Sequence, residues 1–339
     1  MCDTAGMVAG TAEPRRVLVT GGAGFIGSHY VRSLLNGSIQ GFAQAEVVVL
    51  DALTYAGNEA NLAEVAASAR YRFVHGDIRD QRLVADQMVG TDVVVHFAAE
   101  SHVDRSIVGA ADFVSTNVAG TQVLLQAALD AGVGRFVHVS TDEVYGSIAA
   151  GAWAEEQPLA PNSPYSAAKA GSDLLAVAYH RTYGLDVVIT RCSNNYGPYQ
   201  FPEKVIPLFV TNLLDGHKVP LYGDGLNVRD WLHVDDHCRG IQLVAERGRA
   251  GEVYHIGGGL ELSNHELTEA LLAATGNDWS MVEPVADRKG HDRRYALDTS
   301  KITSELGYAP RVPFREGLAD TVRWYTQRRD WWEPLKARL

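Results

Sequence analysis

Cysteine is scarce in this 339-residue chain, and so are long apolar runs and excess positive charge. The three cysteines, Cys2, Cys192 and Cys238, are far apart and odd in number. That argues against a disulfide framework and a CxxC-type metal site, and His102 and His233 read as structural rather than as metal ligands; the expectation is a reducing cytoplasm and no metal. No apolar run approaches the length of a membrane span. The net charge of −11 disfavours non-specific nucleic-acid binding, because an acidic surface repels phosphate, although a local basic pocket can still hold one nucleotide. No internal repeat or low-complexity tract is present. Residues 1–15 are mostly small and polar, lack a signal-peptide pattern and read as a disordered leader, with Met7 an alternative start.

Apolar residues make up 46% and charged residues 21%, a globular profile, and the length suits a large domain with a smaller one. Short β-branched runs at 16–20, 46–50, 71–74, 92–96, 135–139 and 186–190 alternate with helical patterns such as 116–131. Runs such as VVVL and VVVH do not alternate in polarity, which predicts strands covered on both faces. The expected fold is α/β, a doubly wound parallel sheet over 16–193. After 193 the prolines at 198, 202, 207 and 220 break the pattern, and helical stretches follow at 235–246 and 264–275. A smaller mixed lobe over 194–330 is expected at the sheet's carboxyl edge, where ligands of open α/β sheets bind.

Gly21, Gly24 and Gly27 lie in GGAGFIGS, directly after the first strand. Glycines there let backbone N–H groups approach a pyrophosphate, and the following helix adds its positive end. Asp51 ends the second strand, where a carboxylate accepts from ribose hydroxyls and repels a 2′-phosphate, favouring NAD over NADP. Asp77, after the third strand, is placed either near adenine or in a turn. Tyr165 and Lys169 share one helical face in PYSAAK. A phenol has a reference pKa of about 10, and the ammonium is expected to lower it so that the phenol serves as a base. Adjacent Asp142 and Glu143 supply an acid and a base, provided their surroundings push their pKa values apart.

The stretches GGAGFIGS, STDEVYG (140–146) and YSAAK resemble the extended short-chain dehydrogenase/reductases. DALTYAGN (51–58), HFAAESHVDRS (96–106), CSNNYGPYQFPEK (192–204), RDWLHVDD (229–236) and DRKGHDRRY (287–295) narrow the likeness to the dTDP-glucose 4,6-dehydratases, from residue 16 to about 325.

The resemblance implies tightly bound NAD, which oxidises C4 of the glucose with Tyr165 as base. Glu143 then removes the C5 proton, Asp142 protonates the departing C6 hydroxyl, and hydride returns to C6. It implies that Thr141 and Ser140 hydrogen-bond the 4-hydroxyl region and the base. Cofactor contacts are implied for Gly21, Gly24, Phe25, Ile26, Gly27, Asp51, Leu53, Thr54, Asp77 and Ile78. The same holds for Phe97, Ala98, Ala99, Ser101, Asn117, Ser140, Tyr165, Lys169 and Asn195. Sugar-nucleotide contacts are implied for Ser101, Thr141, Asn194, Lys204, Val205, Pro220, Leu221, Tyr222, Arg229, Asn264, Asp287 and His291. A guanidinium at Arg229 suits phosphate, or else pairs with Asp230 or Asp235.

One departure is Ala52, where the family commonly has lysine. The resemblance further implies a homodimer built from helices near 112–131 and 164–183, with Leu124, Leu125 and Leu175 as candidate fillers. Competing readings are a nucleotide-sugar epimerase, a decarboxylase or a GDP-mannose dehydratase, against which the Asp142–Glu143 pair argues. A catalytically dead NAD-binding scaffold is the reading from another class, against which the intact Tyr165, Lys169 and carboxyl pair argues.

Overall fold

The structure, a computed structural model, describes residues 15–42 and 44–338. The leader expected before the first strand lies outside that range, apart from Arg15. Six strands follow the β-branched runs: β1 (Arg16–Thr20), β2 (Glu46–Asp51), β3 (Tyr71–His75), β4 (Val93–His96), β5 (Arg135–Thr141) and β6 (Val187–Cys192). Three short strands come next, β7 (Asn194–Tyr196), β8 (Val219–Tyr222) and β9 (Val228–His233). The last three are β10 (Val253–Ile256), β11 (Glu261–Ser263) and β12 (Val282–Val285).

The main sheet has the order β10-β6-β5-β4-β1-β2-β3 and is parallel throughout. The strand order reverses between β1 and β4, which opens a crevice above the carboxyl ends, where the glycine turn lies. Every residue of β4 and β6 is buried, as unalternating apolar runs require. Val17, Val19, Val47 and Val49 face one core, and Leu18, Val48 and Leu50 the other.

The seventh strand is a difference from the sequence reading. β10 comes from the C-terminal half and pairs with β6, and the helix Val234–Arg247 packs on the same sheet. The four-residue run VYHI, bordered by glycine, is too short to announce a sheet strand by pattern. The rest of the C-terminal lobe carries a three-stranded sheet (β11-β9-β7) and a β12-β8 pair, with its own aromatic-rich core.

The helix expected at 116–131 is in three parts. A short α-helix Ala110–Phe113 runs into a π-helical stretch Val114–Gly120 and then α-helix Thr121–Ala131. A Cβ at Gly120 would stand 2.6 Å from Ile78 Cδ1, so this path can press against the loop after β3 only at a glycine. π-Helical turns are often found beside functional sites.

Leu124 and Leu125 are fully buried in the core under the sheet, so they are not available to fill a subunit contact. Leu175 packs against the same core. The sequence pattern shows that these positions are apolar but not which of two faces they serve. Among the described residues, no helix is long and apolar enough to cross a membrane.

Candidate active site

The glycine turn closes tightly. Gly21 has φ +70°, and a Cβ there would lie 2.5 Å from the backbone N of Ala98. A Cβ at Gly27 would lie 2.3 Å from the carbonyl of Gly21. The helix Phe25–Asn36 starts at Gly24 with no side-chain cap, leaving its positive end to the cleft. Asp51 binds the turn at its back: Oδ2 accepts from Ala23 N at 2.9 Å and Oδ1 from Leu53 N at 2.8 Å. Burial pushes this carboxyl up, and the two N–H groups oppose the shift.

A cleft of about 320 Å³ runs from this turn to the end of β5. Gly21, Gly24, Phe25, Ile26, Gly27, Asp51, Thr54, Asp77, Ile78, Phe97, Ala98, Ala99 and Ser101 line it. Ser140, Thr141, Asp142, Glu143, Tyr165, Lys169, Asn194, Asn195 and Lys204 continue the wall. Leu53 and Asn117 stand behind it. Leu53 adopts φ +51° to turn its N–H to Asp51. The Asn117 side chain bonds the backbone N and O of Glu100, at 2.8 and 3.0 Å, and so fixes the Phe97–Ser101 wall. The Asp77 carboxylate is taken by Arg79, which donates from Nη2 at 2.6 Å and holds it below the usual range. Its implied adenine contact is therefore restricted to the backbone or to the Arg79 plane.

The catalytic helix is set by its cap. Ser163 Oγ accepts from Ser166 N at 3.1 Å, Pro164 occupies the first turn, and the helix runs Pro164–Tyr183. Tyr165 and Lys169 therefore reach the cleft from one face. Lys169 Nζ donates to the carbonyl of Val139 at 2.8 Å, and burial lowers its pKa. The Tyr165 phenol is not lowered as the sequence reading expected. Burial pushes it well up, and Glu143, Cys192 and Asp142 add to the shift. Burial is the larger cause, and the Lys169 ammonium directs its hydrogen bond to the Val139 carbonyl.

β5 delivers the carboxyls. Thr141 Oγ1 accepts from Glu143 N at 3.2 Å and starts the 3₁₀ turn Asp142–Tyr145, and the same hydroxyl donates to Asp142 Oδ1 at 3.2 Å. Asp142 is only 2% exposed, and its Oδ2 has no hydrogen-bond partner among the described residues. Burial raises its pKa well above the carboxyl range, the Glu143 carboxylate adds to the rise, and Arg229 partly offsets it. Glu143 Oε2 accepts from Ser166 Oγ at 3.2 Å. One carboxyl is thus pushed toward its protonated form beside another that a hydroxyl orients.

On the sugar side, Lys204 Nζ donates to Ser101 O at 2.8 Å, and Asn194 Oδ1 is buried without a partner. Val205, Pro220, Leu221, Tyr222, Arg229, Asn264, Asp287 and His291 lie outside this cleft's lining. Asp287 and His291 pair at 2.6 Å, with Tyr222 edge-on to His291. Arg229 pairs with neither aspartate suggested from sequence. Its Nη1 and Nη2 donate to the carbonyls of Val228 and Asp292, and the guanidinium lies 4.3 Å over Tyr295.

The sequence reading missed several lining groups, among them Tyr55, Arg79, Glu100, Gln200, Phe201 and Glu203. Most fall inside or beside the motifs quoted above, so the signal for them was their neighbours.

A family model described as GDP-mannose 4,6 dehydratase matches residues 18–321. A dTDP-glucose 4,6-dehydratase of Streptomyces niveus is 65% identical over 322 residues, covering 95% of this chain and 96% of that protein. The chain belongs to the dTDP-glucose 4,6-dehydratase family. Two solved members of the family have the same fold. DesIV of Streptomyces venezuelae, with NAD bound, is 71% identical with a TM-score of 0.94, covering 94% of this chain and 99% of that one. The Bacillus anthracis enzyme in complex with NAD is 47% identical with a TM-score of 0.87, covering 95% and 99%.

Proposed function

We propose that this chain is an NAD-dependent hydro-lyase that converts dTDP-glucose to dTDP-4-keto-6-deoxyglucose. The observation that carries the reading is the carboxyl pair: a buried Asp142 with its pKa pushed up beside Glu143, in one cleft with Tyr165 and the glycine turn. An epimerase needs the tyrosine and lysine but no separate elimination acid and base.

The residues present fit a dinucleotide. The Gly21 and Gly27 contacts leave no room for side chains in the turn, the helix start at Gly24 is uncapped, and Asp51 stands at the end of β2. When bound, NAD takes a hydride from C4 of the sugar and returns one to C6. Tyr165 accepts the proton of the C4 hydroxyl, and Lys169 stabilises the phenolate that must form for this. Thr141 orients the 4-hydroxyl region. Once C4 is a ketone the C5 proton is acidic, and Glu143 removes it. Asp142 gives its proton to the C6 hydroxyl, which leaves as water, and as the hydride comes back to C6 Glu143 returns its proton to C5. Residues 16–193 supply most of the cofactor site, and 194–330 mainly the sugar-nucleotide contacts, with Lys204 and the Asp287–His291 pair toward the nucleotide. The two buried free thiols, Cys192 and Cys238, fit a cytoplasmic setting.

Incubation with dTDP-glucose followed by alkali should give the near-ultraviolet absorbance of a 4-keto sugar, with much weaker signals from UDP-glucose and GDP-mannose. Equal turnover of the UDP sugar would remove the dTDP assignment, and no chromophore from any of them would remove the activity.

A homodimer fits the surface of the same helices. Val114 and Leu174 are 54% and 60% exposed, on neighbouring elements, and Tyr183 ends the second helix at 57%. Exposed apolar residues on paired helices suit an isologous contact. Leu174→Glu should shift the protein to monomer in sedimentation at micromolar concentration while leaving its helix content intact. A parent protein that is already monomeric would end this reading.

A further inference from the structure

The glycine turn is held from behind by the far end of the chain. Ala23, fully buried within the turn, donates its N–H to Asp51, and its carbonyl accepts from Asn58 N at 3.1 Å and Asn61 Nδ2 at 2.9 Å. Asn61 is itself 1% exposed, and its Oδ1 accepts the indole N–H of Trp331 at 2.8 Å. Trp331 lies on the helix Arg329–Lys336. One side-chain amide therefore joins the turn to this helix across 270 residues of sequence.

The amide can sit only one way round. Turned over, its oxygen would face the Ala23 carbonyl and its NH₂ would face the indole N–H, setting acceptor against acceptor and donor against donor. The node is reinforced on its backbone. Arg32 Nη1 donates to Asn61 O at 2.5 Å while its guanidinium lies 4.2 Å over the Tyr199 ring. That ring meets Trp331 edge-on at 5.5 Å. Tyr199 precedes Gln200, a cleft residue whose carbonyl accepts from Tyr325 Oη at 2.5 Å. The C-terminal helices thus grip one loop on the cofactor side and one on the sugar side.

We propose that Trp331 is a positioning residue for the dinucleotide: through Asn61 it fixes Ala23 and sets how long the cofactor stays bound. Without the indole N–H, Asn61 Oδ1 is left buried and unsatisfied, and the amide gains a reason to rotate off the Ala23 carbonyl. The turn then breathes, and the backbone N–H groups aimed at the pyrophosphate are no longer fixed in place. A reaction that lends a hydride and takes it back within one turnover gains from a cofactor that does not leave. The inference rests on the reading of the cleft as an NAD site.

Trp332 supplies the control. It is fully buried, and its indole N–H goes to Tyr325 O at 2.8 Å, a bond inside the C-terminal helix pair rather than to Asn61. Trp331→Phe and Trp332→Phe each remove one buried indole hydrogen bond, and Asn61→Ser cuts the link from the other side without touching the helix. The measurement is the rate at which bound NAD is lost into a trapping solution, with thermal denaturation alongside. Trp331→Phe and Asn61→Ser should release NAD about tenfold faster, the scale of one lost hydrogen bond, with activity recovered by excess NAD. Trp332→Phe should lose thermal stability but keep the parent's release rate. Parent-like release by Trp331→Phe, or equal acceleration by Trp332→Phe, would overturn the proposal. A parent protein that binds no NAD would instead overturn the reading of the cleft.

Discussion

Tyr165→Phe should produce no reduced cofactor when mixed with dTDP-glucose, and no deuterium should enter the sugar at C5 from deuterated water. The phenol is the one group of suitable chemistry on the catalytic helix that reaches the cleft beside Lys169. Every later step depends on the C4 ketone, so blocking its formation blocks them all. Loss of a general base alone slows a step by about 10² to 10⁴. Phenylalanine keeps the ring that meets Phe113 edge-on at 6.2 Å, so the fold should survive the change. Growth of the NADH absorbance band at the parent's rate would show that another group takes the proton.

Asp142→Asn should behave differently. The amide keeps the size of the side chain and its contact with Thr141 but has no proton to give to a leaving hydroxyl. C4 oxidation and C5 exchange should continue, bound NADH should accumulate, and overall turnover should fall by about 10² to 10⁴. Glu143→Gln should also accumulate NADH but without deuterium at C5, because the group that removes that proton is gone. Two measurements, NADH absorbance and C5 deuterium, then separate the tyrosine, the aspartate and the glutamate. The proposed opposite duties rest on Asp142 being buried with an oxygen that has no partner among the described residues, while Ser166 orients Glu143. Parent-rate turnover by Asp142→Asn, or normal C5 exchange by Glu143→Gln, would undo that division.

Much of this was legible in the residues. The helix start at Pro164 was read from local chemistry and the span near 164–183 from the family resemblance; the structure has the helix at Pro164–Tyr183, with Ser163 and Gly184 as its caps. The first strand was read in full and the next five to within two residues at each end, since an unalternating valine run has few other uses inside an α/β chain, whereas β7 to β12 were not read as strands. The rest depended on long-range packing. Leu124 and Leu125 look the same in sequence whether they serve the sheet or a partner. The charge environment of Tyr165 depends on where Glu143 and Asp142 end up, and that is set by the end of β5 at Thr141, 24 residues earlier in sequence. Arg229, for which an aspartate pair was the alternative to a phosphate contact, donates instead to two backbone carbonyls and lies over a tyrosine ring, which no local pattern announces. Trp331 reaches Asn61 only after the whole chain has folded back.

The strand order also limits how this enzyme can be re-engineered. One edge strand of the seven-stranded sheet is contributed by residues 253–256, beyond most of the segments proposed to contact the sugar nucleotide. A graft of the C-terminal half from a relative with another sugar preference would replace that strand and the helix Val234–Arg247 as well. The incoming sequence would then have to match β6 and the packing beneath it before any new sugar contact could matter. Exchanges confined to 194–233 and 257–295, made as two inserts around a retained 234–256, would change the ligand-facing loops and leave the seven-stranded frame of the recipient whole.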